Sequence, residues 1–281
     1  MTNTPCEAET GSWLFIGAGN MATAIVSGAR RSGVLGEENA VAFDPGAGPS
    51  ADLGDVYSNV EDAAGWLERS GPDAGVIVAV KPQMFGAVAS AWRGVSDRGP
   101  SRLVVSILAG TTAATVSGGL GQNVRVVRVM PNTPIRLGLG MSAIAPGPGA
   151  TDVDLERVER LFGAIGETVR IGEGLMDAFT ALAGSGPAYV FYLAEAMQEA
   201  ATQLGFDREQ ALLLVRQTVM GAGTLLGGSP ETPRALRNAV TSKGGTTAAA
   251  TELLDDAGVH DTIVRAIHAA RHRGAELGKA T

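Results

Sequence analysis

Residues 17–22, with the sequence GAGNMA, follow an apolar run and form the pattern Gly-x-Gly-x-x-Ala. In a loop between a strand and a helix, Gly17 permits a tight turn, and Gly19 lets backbone N–H groups approach a pyrophosphate. Ala22 lets the following helix pack close to the sheet. A plain strand-to-helix turn is the alternative, but the position of this glycine loop after a predicted buried strand favours dinucleotide binding.

Asp44 ends the second predicted strand, where a carboxylate can accept hydrogen bonds from the hydroxyls of the adenine ribose. No Arg or Lys lies between Arg31 and Arg69 to receive the 2′-phosphate of NADPH, and the carboxylate would repel that phosphate. The sequence therefore favours NADH over NADPH. The alternative is that Asp44 is an acidic turn residue before Pro45.

A second glycine-rich segment, residues 242–247, reads SKGGTT and precedes three alanines; we refer to it as the GGTT loop. A loop that enters a helix in this way presents free N–H groups and the positive end of the helix dipole, which together suit a carboxylate. A ligand with a carboxylate could place it on these amides and on Ser242, with the Thr247 hydroxyl close to the rest of the ligand. An ordinary Thr-capped helix start is the alternative.

Two histidines, His268 and His272, lie four residues apart near the end of the chain and could chelate a metal. The sequence offers no third ligand beside them, and they alternate with arginines on a polar face. All three histidines lie in this last part of the chain, which leaves no basis for a Ser-His-Asp triad. We therefore predict no metal site.

Elements that could position these segments are visible in the hydrophobic pattern. Short runs of β-branched and aliphatic residues alternate with helical stretches between residues 12 and 171, which is typical of an α/β fold with a parallel sheet covered by helices. We predict a Rossmann-like dinucleotide-binding domain over residues 12–172. Its strands are expected at residues 13–16, 41–43, 75–80, 103–108, 124–130, 142–145 and 168–171, with a helix over residues 154–162.

The remaining residues, 173–281, predict an all-α C-terminal domain. Residues 187–204 have the pattern of an amphipathic helix, and Asp207 with Gln210 resembles a capping box for the next one. That next helix, over residues 211–226, is apolar on nearly every side and therefore needs cover all round. We infer that a second subunit supplies the cover, which makes this a dimerisation domain.

The composition disfavours several other classes of partner. With 22 basic and 29 acidic residues, the net charge of −7 disfavours binding to a nucleic-acid backbone. The single cysteine, Cys6, cannot form an internal disulfide, and residues 1–11 lack the apolar stretch of a signal peptide. No uncharged apolar run approaches the roughly 18 residues of a membrane span. We predict a cytoplasmic protein that binds neither nucleic acid nor membrane.

Four further motifs follow the glycine loop: residues 80–82 (VKP), 128–134 (RVMPNTP), 182–189 (LAGSGPAY) and 240–247 (VTSKGGTT). Together, over residues 13–277, they resemble the pyrroline-5-carboxylate reductases. The resemblance implies a Rossmann domain that binds NADH or NADPH and a helical domain that interlocks with its partner in dimers, often assembled further into decamers. It also implies the reduction of L-1-pyrroline-5-carboxylate to L-proline by hydride transfer, the final step of proline biosynthesis.

The same resemblance assigns individual binding residues. It places Gly17, Gly19, Asn20 and Met21 at the pyrophosphate, Asp44 at the adenine ribose, and Asn59 as the cofactor contact that follows the family's third strand. The walls beside the nicotinamide are Ala79, Val80, Lys81, Pro82 and Ala109. The substrate contacts are Glu173, Ser242, Gly245, Thr246 and Thr247, and Thr247 is the catalytic contact.

One position departs from the family pattern, because Lys243 stands where the family usually has Pro. A proline would stiffen the loop, and its loss adds unfolded-state freedom worth about 0.5–1 kcal/mol. We therefore expect a less rigid GGTT loop and a weaker affinity for substrate. The lysine charge could instead assist carboxylate binding, but a solvated surface lysine is the simpler interpretation.

Two other functions fit parts of the sequence. A related Rossmann reductase of another imine or a keto acid would keep the glycine loop but lack the GGTT loop. A regulatory protein that binds the cofactor without turnover would lose substrate-loop residues, and only Lys243 points that way. In imine reduction the cofactor carries the hard chemistry and the protein positions the reactants. We assign no general acid, because the substrate can bind already protonated.

Overall fold

The structure is a computed structural model of the 281-residue chain, and it describes residues 10–48, 50, 52–97, 99–121 and 123–279. Cys6 and the segment tested for a signal peptide up to residue 9 lie outside the described residues. In the described part, helices alternate with the strands of one sheet, and a series of helices follows.

Eight strands form the sheet in the order β3-β2-β1-β4-β5-β6-β7-β8. They are β1 Trp13–Ile16, β2 Ala40–Phe43, β3 Val56–Tyr57, β4 Gly75–Val78, β5 Arg102–Ser106, β6 Val124–Met130, β7 Gly140–Pro146 and β8 Gly166–Arg170. Each of the seven predicted strands is present, with its ends moved by at most a few residues. The sequence pattern missed β3, because a two-residue, half-buried edge strand leaves no apolar run to detect.

The sheet is mostly parallel, as expected, but its last two strands run the other way. β6 and β7 pair antiparallel, and β8 is parallel to β7. Only residues 131–139 connect β6 to β7, and a parallel connection needs roughly a dozen residues or more. The chain therefore turns back at this point, and the prediction of a parallel sheet is wrong for β7 and β8.

The helices are α1 Asn20–Arg31, α2 Val60–Arg69, α3 Phe85–Ser96, α4 Ala113–Leu120, α5 Asp152–Gly163, α6 Met176–Phe179, α7 Gly186–Gln203, α8 Arg208–Gly228, α9 Pro233–Ala239, α10 Thr246–Asp256 and α11 Val259–Lys279. Short 3-10 helices cover Glu37–Asn39, Pro82–Met84, Thr133–Leu137 and Glu173–Leu175, and a π-helical turn covers Thr180–Gly184. The capping box of Asp207 and Gln210 is present at the start of α8, as predicted.

Alternate residues of five strands bury into separate cores on the two faces of the sheet; these strands are β1, β2, β4, β5 and β6. Trp13 and Phe15 of β1 pack with side chains of α1 and α5, whereas Leu14 and Ile16 pack with side chains of α2, α3 and α4. Strands buried on both faces must be apolar throughout, which explains why they were easy to place from the sequence. Because β1, β2, β4 and β5 run parallel to one another, their carboxyl ends share one edge of the sheet, where the glycine loop begins.

The contacts divide the chain into two units. Gly186–Ala269 form a helical unit, and the other described residues, including the last turns of α11, form the unit that contains the sheet. The domain boundary between residues 172 and 173 stays a prediction.

Much of the apolar surface of the helical unit is exposed in the single chain. α7 and α8 pack on one another, and of their residues only Ala201, Ala211 and Val215 are buried. Phe191 and Leu213 are each 67% exposed. Long apolar helices with so little cover are typical of an interface that a second subunit completes.

Among the described residues, α8 is the one helix whose length and composition would allow it to cross a membrane. An interface helix with apolar residues on most sides meets the same test. Arg216 lies near the middle of α8, where a charged side chain would be costly inside a bilayer.

Candidate active site

The glycine loop connects β1 to α1 at the point where the strand order reverses. Gly17 has φ of +106°, and a Cβ placed on it would lie 2.8 Å from the carbonyl oxygen of Ala79. Only glycine fits there without strain. Gly19 is the N-cap of α1, where no described side chain caps the helix, and no described atom lies within 4 Å of a Cβ built on it. The first-turn N–H groups of α1 are thus open to an anion.

Asp44 joins the end of β2 to this loop. Its Oδ2 accepts a hydrogen bond from the backbone N–H of Ala18 at 3.0 Å, and its Oδ1 accepts one from the N–H of Gly46 at 3.0 Å. Each carboxylate oxygen keeps a lone pair for a further donor. The residue can therefore hold the glycine loop and accept ribose hydroxyls at the same time.

A cleft of about 390 Å³ opens beside the glycine loop. Its lining includes six of the predicted cofactor residues: Gly17, Gly19, Asp44, Ala79, Val80 and Lys81. Its volume falls in the range typical of small-molecule sites, roughly 300–1,000 Å³. Pro82 follows directly and begins the Pro82–Met84 turn.

One wall of this cleft was missed in the sequence. It is formed by Met84, the N-cap of α3, and by Ala87, Val88 and Ala91 of that helix. Their spacing of three or four residues places them on one helix face, so periodicity could have revealed them. No chemical signal distinguished this apolar face from an ordinary core face.

Asn20 and Met21 line a different cleft, of about 270 Å³. Thr133 and Arg136, from the turn after β6, line it with them. The exposed Arg136 therefore adds a cationic residue to the lining of the cleft that contains Asn20 and Met21. The residues predicted to bind the pyrophosphate therefore line two clefts rather than one.

Three predicted cofactor residues, Asn59, Pro82 and Ala109, do not line either cleft. Asn59 is the N-cap of α2: its Oδ1 accepts from the N–H of Asp62 at 2.8 Å, and its Nδ2 donates to Asp62 Oδ2 at 2.6 Å. Ala109 is exposed in the segment after β5. Because β5 is next to β4 in the sheet, this segment starts beside residues 79–82.

Glu173 is held in place within the sheet unit by two hydrogen bonds. Its Oε1 accepts from the backbone N–H of Ala113, at the start of α4, at 2.7 Å. The same oxygen accepts from Arg128 Nη1 at 3.2 Å. The Arg128 side chain is only 4% exposed, and its Nε and Nη2 have no partner among the described residues. Glu173 thus has a structural task that its position in the sequence did not reveal.

The GGTT loop leads into α10 in the helical unit, as predicted. The N–H of Gly245 donates to the carbonyl of Ser242 at 3.0 Å, which closes a turn. Gly245 is the N-cap of α10, and no described side chain caps the helix. The first-turn amides, including those of Thr246 and Thr247, therefore remain available to an anion.

The side chains around this turn support an anion site. A Cβ added to Gly245 would lie 2.5 Å from Ser242 Oγ, so the serine hydroxyl lies against the helix start. Lys243 is exposed. Thr247 is half-buried, and its backbone carbonyl accepts a hydrogen bond from Thr251 Oγ1 at 2.9 Å. This geometry brings Ser242, Gly245, Thr246 and Thr247 together, while Glu173 lies in the other unit.

Comparison with known proteins covers both units. Residues 173–277 match the family described as pyrroline-5-carboxylate reductase dimerisation, and residues 13–110 match the family described as NADP oxidoreductase, coenzyme F420-dependent. These two matches coincide with the helical and the dinucleotide-binding parts of the sequence.

Whole-chain relatives share both parts. A pyrroline-5-carboxylate reductase of Methanosarcina acetivorans is 38% identical over 275 residues, which cover 94% of this chain and 97% of the relative. One of Pseudomonas aeruginosa is 39% identical over 273 residues, covering 94% and 96%. The crystal structure of Plasmodium falciparum pyrroline carboxylate reductase with NADP bound superposes with a TM-score of 0.84 at 28% identity, covering 96% of this chain and 99% of that one.

Proposed function

Because the chain belongs to the pyrroline-5-carboxylate reductase family, we propose that it reduces L-1-pyrroline-5-carboxylate to L-proline, the final step of proline biosynthesis. The observation that carries the proposal is the uncapped start of α10 behind the GGTT loop, a site suited to the substrate carboxylate. A keto-acid reductase or a cofactor-binding regulator has no need of the GGTT loop in addition to the glycine loop.

The coenzyme is NADH or NADPH, and the residues present fit such a group. Gly17 leaves a cradle that any side chain would fill, and the free amides of α1 face outward for a pyrophosphate. When bound, the dihydronicotinamide supplies the hydride. Residues 79–82 and Ala109, which leave neighbouring strand ends, would confine its reactive end and limit the access of water.

Asp44 sets the coenzyme preference in this proposal. Its carboxylate suits the two ribose hydroxyls of NADH and repels a 2′-phosphate. We therefore propose that NADH is the better coenzyme, although the Plasmodium relative was solved with NADP.

The substrate is held through its charged groups. The first-turn amides of α10 and the Ser242 hydroxyl bind the carboxylate, and the Thr247 hydroxyl accepts a hydrogen bond from the iminium N–H. The protonated imine carbon is a strong hydride acceptor, so the chain needs no general acid. Glu173, which the resemblance made a substrate contact, acts in this proposal through the α4 segment that it holds.

The chain self-associates through its dimerisation domain. We propose that a second copy covers the exposed apolar surfaces of α7 and α8, with dimers as the basic unit and decamers as a further assembly. With its surface covered in this way and a charge of −7, the protein would work in the cytoplasm without membrane or nucleic acid. Light scattering should show at least a dimer, and a stable, active monomer at micromolar concentration would contradict the arrangement.

The function is tested by following NADH absorbance after addition of pyrroline-5-carboxylate and identifying proline as the product. Pyruvate and a six-membered cyclic imine carboxylate serve as rival substrates. Oxidation driven by pyrroline-5-carboxylate with a much higher kcat/KM than either rival supports the proposal. Binding of NADH without turnover of any substrate would favour the regulatory alternative, and faster turnover of a rival would favour a related reductase.

A further inference from the structure

The end of α11 is in backbone contact with the segment that follows β5. Gly110 in that segment has φ of +71°, a conformation that favours glycine. A Cβ built on Gly278 would lie 2.6 Å from the carbonyl oxygen of Gly110, and one built on Gly110 would lie 3.3 Å from the nitrogen of Gly278. The two backbones therefore touch with no side chain between them.

The contacted segment, residues 107–112, is the β5–α4 loop. It is anchored at its start, where the N–H of Ile107 donates to the carbonyl of Val78 at 3.2 Å. It is anchored just beyond its end, where the N–H of Ala113 donates to Glu173. Between these anchors, Leu108 is buried, Ala109 is exposed, and α11 meets the loop at Gly110.

We propose that Gly278 is a positioning residue for the reaction: it lets α11 approach closely enough to hold the β5–α4 loop, and with it Ala109, at the nicotinamide end of the coenzyme cleft. This inference rests on the proposed function, because the place of Ala109 beside the nicotinamide comes from the family. Its physical basis is the sensitivity of hydride transfer to distance, since a displacement of about 1 Å can lower a rate roughly 100-fold.

The chain supplies a matched control one turn earlier in α11. A Cβ on Gly274 would lie 3.6 Å or more from the nearest atoms, which belong to the Asp177 side chain, and this is ordinary van der Waals contact. Alanine favours a helix more than glycine does. Gly274→Ala should therefore be neutral or stabilising, whereas Gly278→Ala has the same intrinsic preference but forces the β5–α4 loop or the helix end to move.

The experiment compares the full-length wild type, Gly274→Ala and Gly278→Ala. Steady-state kinetics with pyrroline-5-carboxylate and NADH give kcat and KM, and fluorescence titration gives the Kd of NADH. Gly278→Ala should lower kcat about tenfold, with the Kd of NADH changed less than about threefold, because the adenine and pyrophosphate contacts are elsewhere. Gly274→Ala should match the wild type in kcat.

Hydrogen–deuterium exchange over residues 107–113 tests the loop independently of the reaction. Faster exchange there in Gly278→Ala, and not in Gly274→Ala, supports the inference that Gly278 lets α11 hold the β5–α4 loop. This holds even if the wild type fails to turn over pyrroline-5-carboxylate, because that outcome would reject the proposed function alone. Wild-type exchange in Gly278→Ala overturns the inference, as does faster exchange with an unchanged kcat in an active enzyme. If Gly278→Ala does not fold, a variant that ends at Leu277, and so lacks the contact of Gly278 with Gly110, is put through the same comparison.

Discussion

The carboxylate of Asp44 accepts a hydrogen bond from the backbone N–H of Ala18 at 3.0 Å, across 26 residues of sequence. This bond links the end of β2 to the glycine loop. Asp44 therefore affects the coenzyme in two ways, through its charge at the ribose position and through the shape of the loop that faces the pyrophosphate.

The two effects can be separated by substitution. Asp44→Asn removes the charge but keeps an oxygen that can accept from Ala18, whereas Asp44→Ser also shortens the side chain and weakens that bond. We expect the wild type to have the higher kcat/KM with NADH. Asp44→Asn should shift the ratio of kcat/KM values toward NADPH by about tenfold, equivalent to about 1.4 kcal/mol of relieved repulsion. Asp44→Ser should shift the ratio similarly but lose more activity with both coenzymes.

Steady-state kinetics with each coenzyme, at a fixed concentration of pyrroline-5-carboxylate, give these ratios. A wild type that already prefers NADPH tenfold would show that the interpretation of Asp44 is wrong. Equal losses with NADH in Asp44→Asn and Asp44→Ser would remove the role of the Ala18 bond.

Glu173 offers a contrast between a structural and a substrate-binding role. Glu173→Ala leaves the buried Arg128 without its carboxylate and the N–H of Ala113 without its acceptor. We expect the free energy of unfolding to fall by about 2–3 kcal/mol. The exposed Glu167 is the control, and Glu167→Ala should change the free energy of unfolding by less than about 0.5 kcal/mol.

Urea unfolding of both variants, beside the KM for pyrroline-5-carboxylate, decides between the roles. A Glu173→Ala variant as stable as the wild type but with a raised substrate KM would restore direct substrate contact as its role.

The stability of the sheet unit should depend on pH through Asp154. Burial alone would raise the pKa of Asp154, but hydrogen bonds from Arg125 and Thr151 outweigh it and lower that pKa below its usual value. A carboxyl whose folded pKa is depressed adds stability that is present above its unfolded pKa, about 3.9, and is lost as the pH falls through the folded pKa. Protonation of Asp154 in acid therefore lowers the free energy of unfolding.

Asp154→Asn should lower the free energy of unfolding by about 2 kcal/mol at pH 7, and the difference from the wild type should shrink below pH 4. The exposed Asp152, in the first turn of the same helix, is the control. Urea unfolding at pH 7 and pH 3 measures both differences. A difference for Asp154→Asn that is the same at both pH values would contradict the role of the ionised carboxylate.

Local patterns in the sequence were sufficient for much of this molecule. The glycine loop, the strands buried on both faces and the capping box of Asp207 depend on residues close together in the chain, so spacing and residue type reveal them. The same holds for the GGTT loop, whose turn between Ser242 and Gly245 is entirely local.

Features that depend on distant residues were not accessible in this way. The bonds from Ala18 to Asp44 and from Arg128 to Glu173 join residues far apart in sequence, and no periodicity encodes them. The reversal of β7 follows from the length of a connection, which became clear only when the strand ends were known. The contact of Gly278 with Gly110 carries no side-chain signal at all.

Thr247 provides the most direct test of the substrate site. It is the second residue of α10, beside a turn whose amides are available for a carboxylate, so its hydroxyl can face the imine while those amides hold the acid group. Thr247→Ala should lower kcat/KM for imine reduction by about ten- to a hundredfold, because a hydrogen bond to a charged group contributes roughly 1.5–3 kcal/mol. NADH binding should change little, and Thr247→Ser should retain most activity because it keeps the hydroxyl.

Thermal unfolding of each variant must be measured in parallel, since a change at a helix start alone can cost about 1 kcal/mol and imitate a catalytic defect. A folded Thr247→Ala enzyme as active as the wild type would mean that the GGTT loop is a structural helix cap, and the assignment of the substrate site would fail.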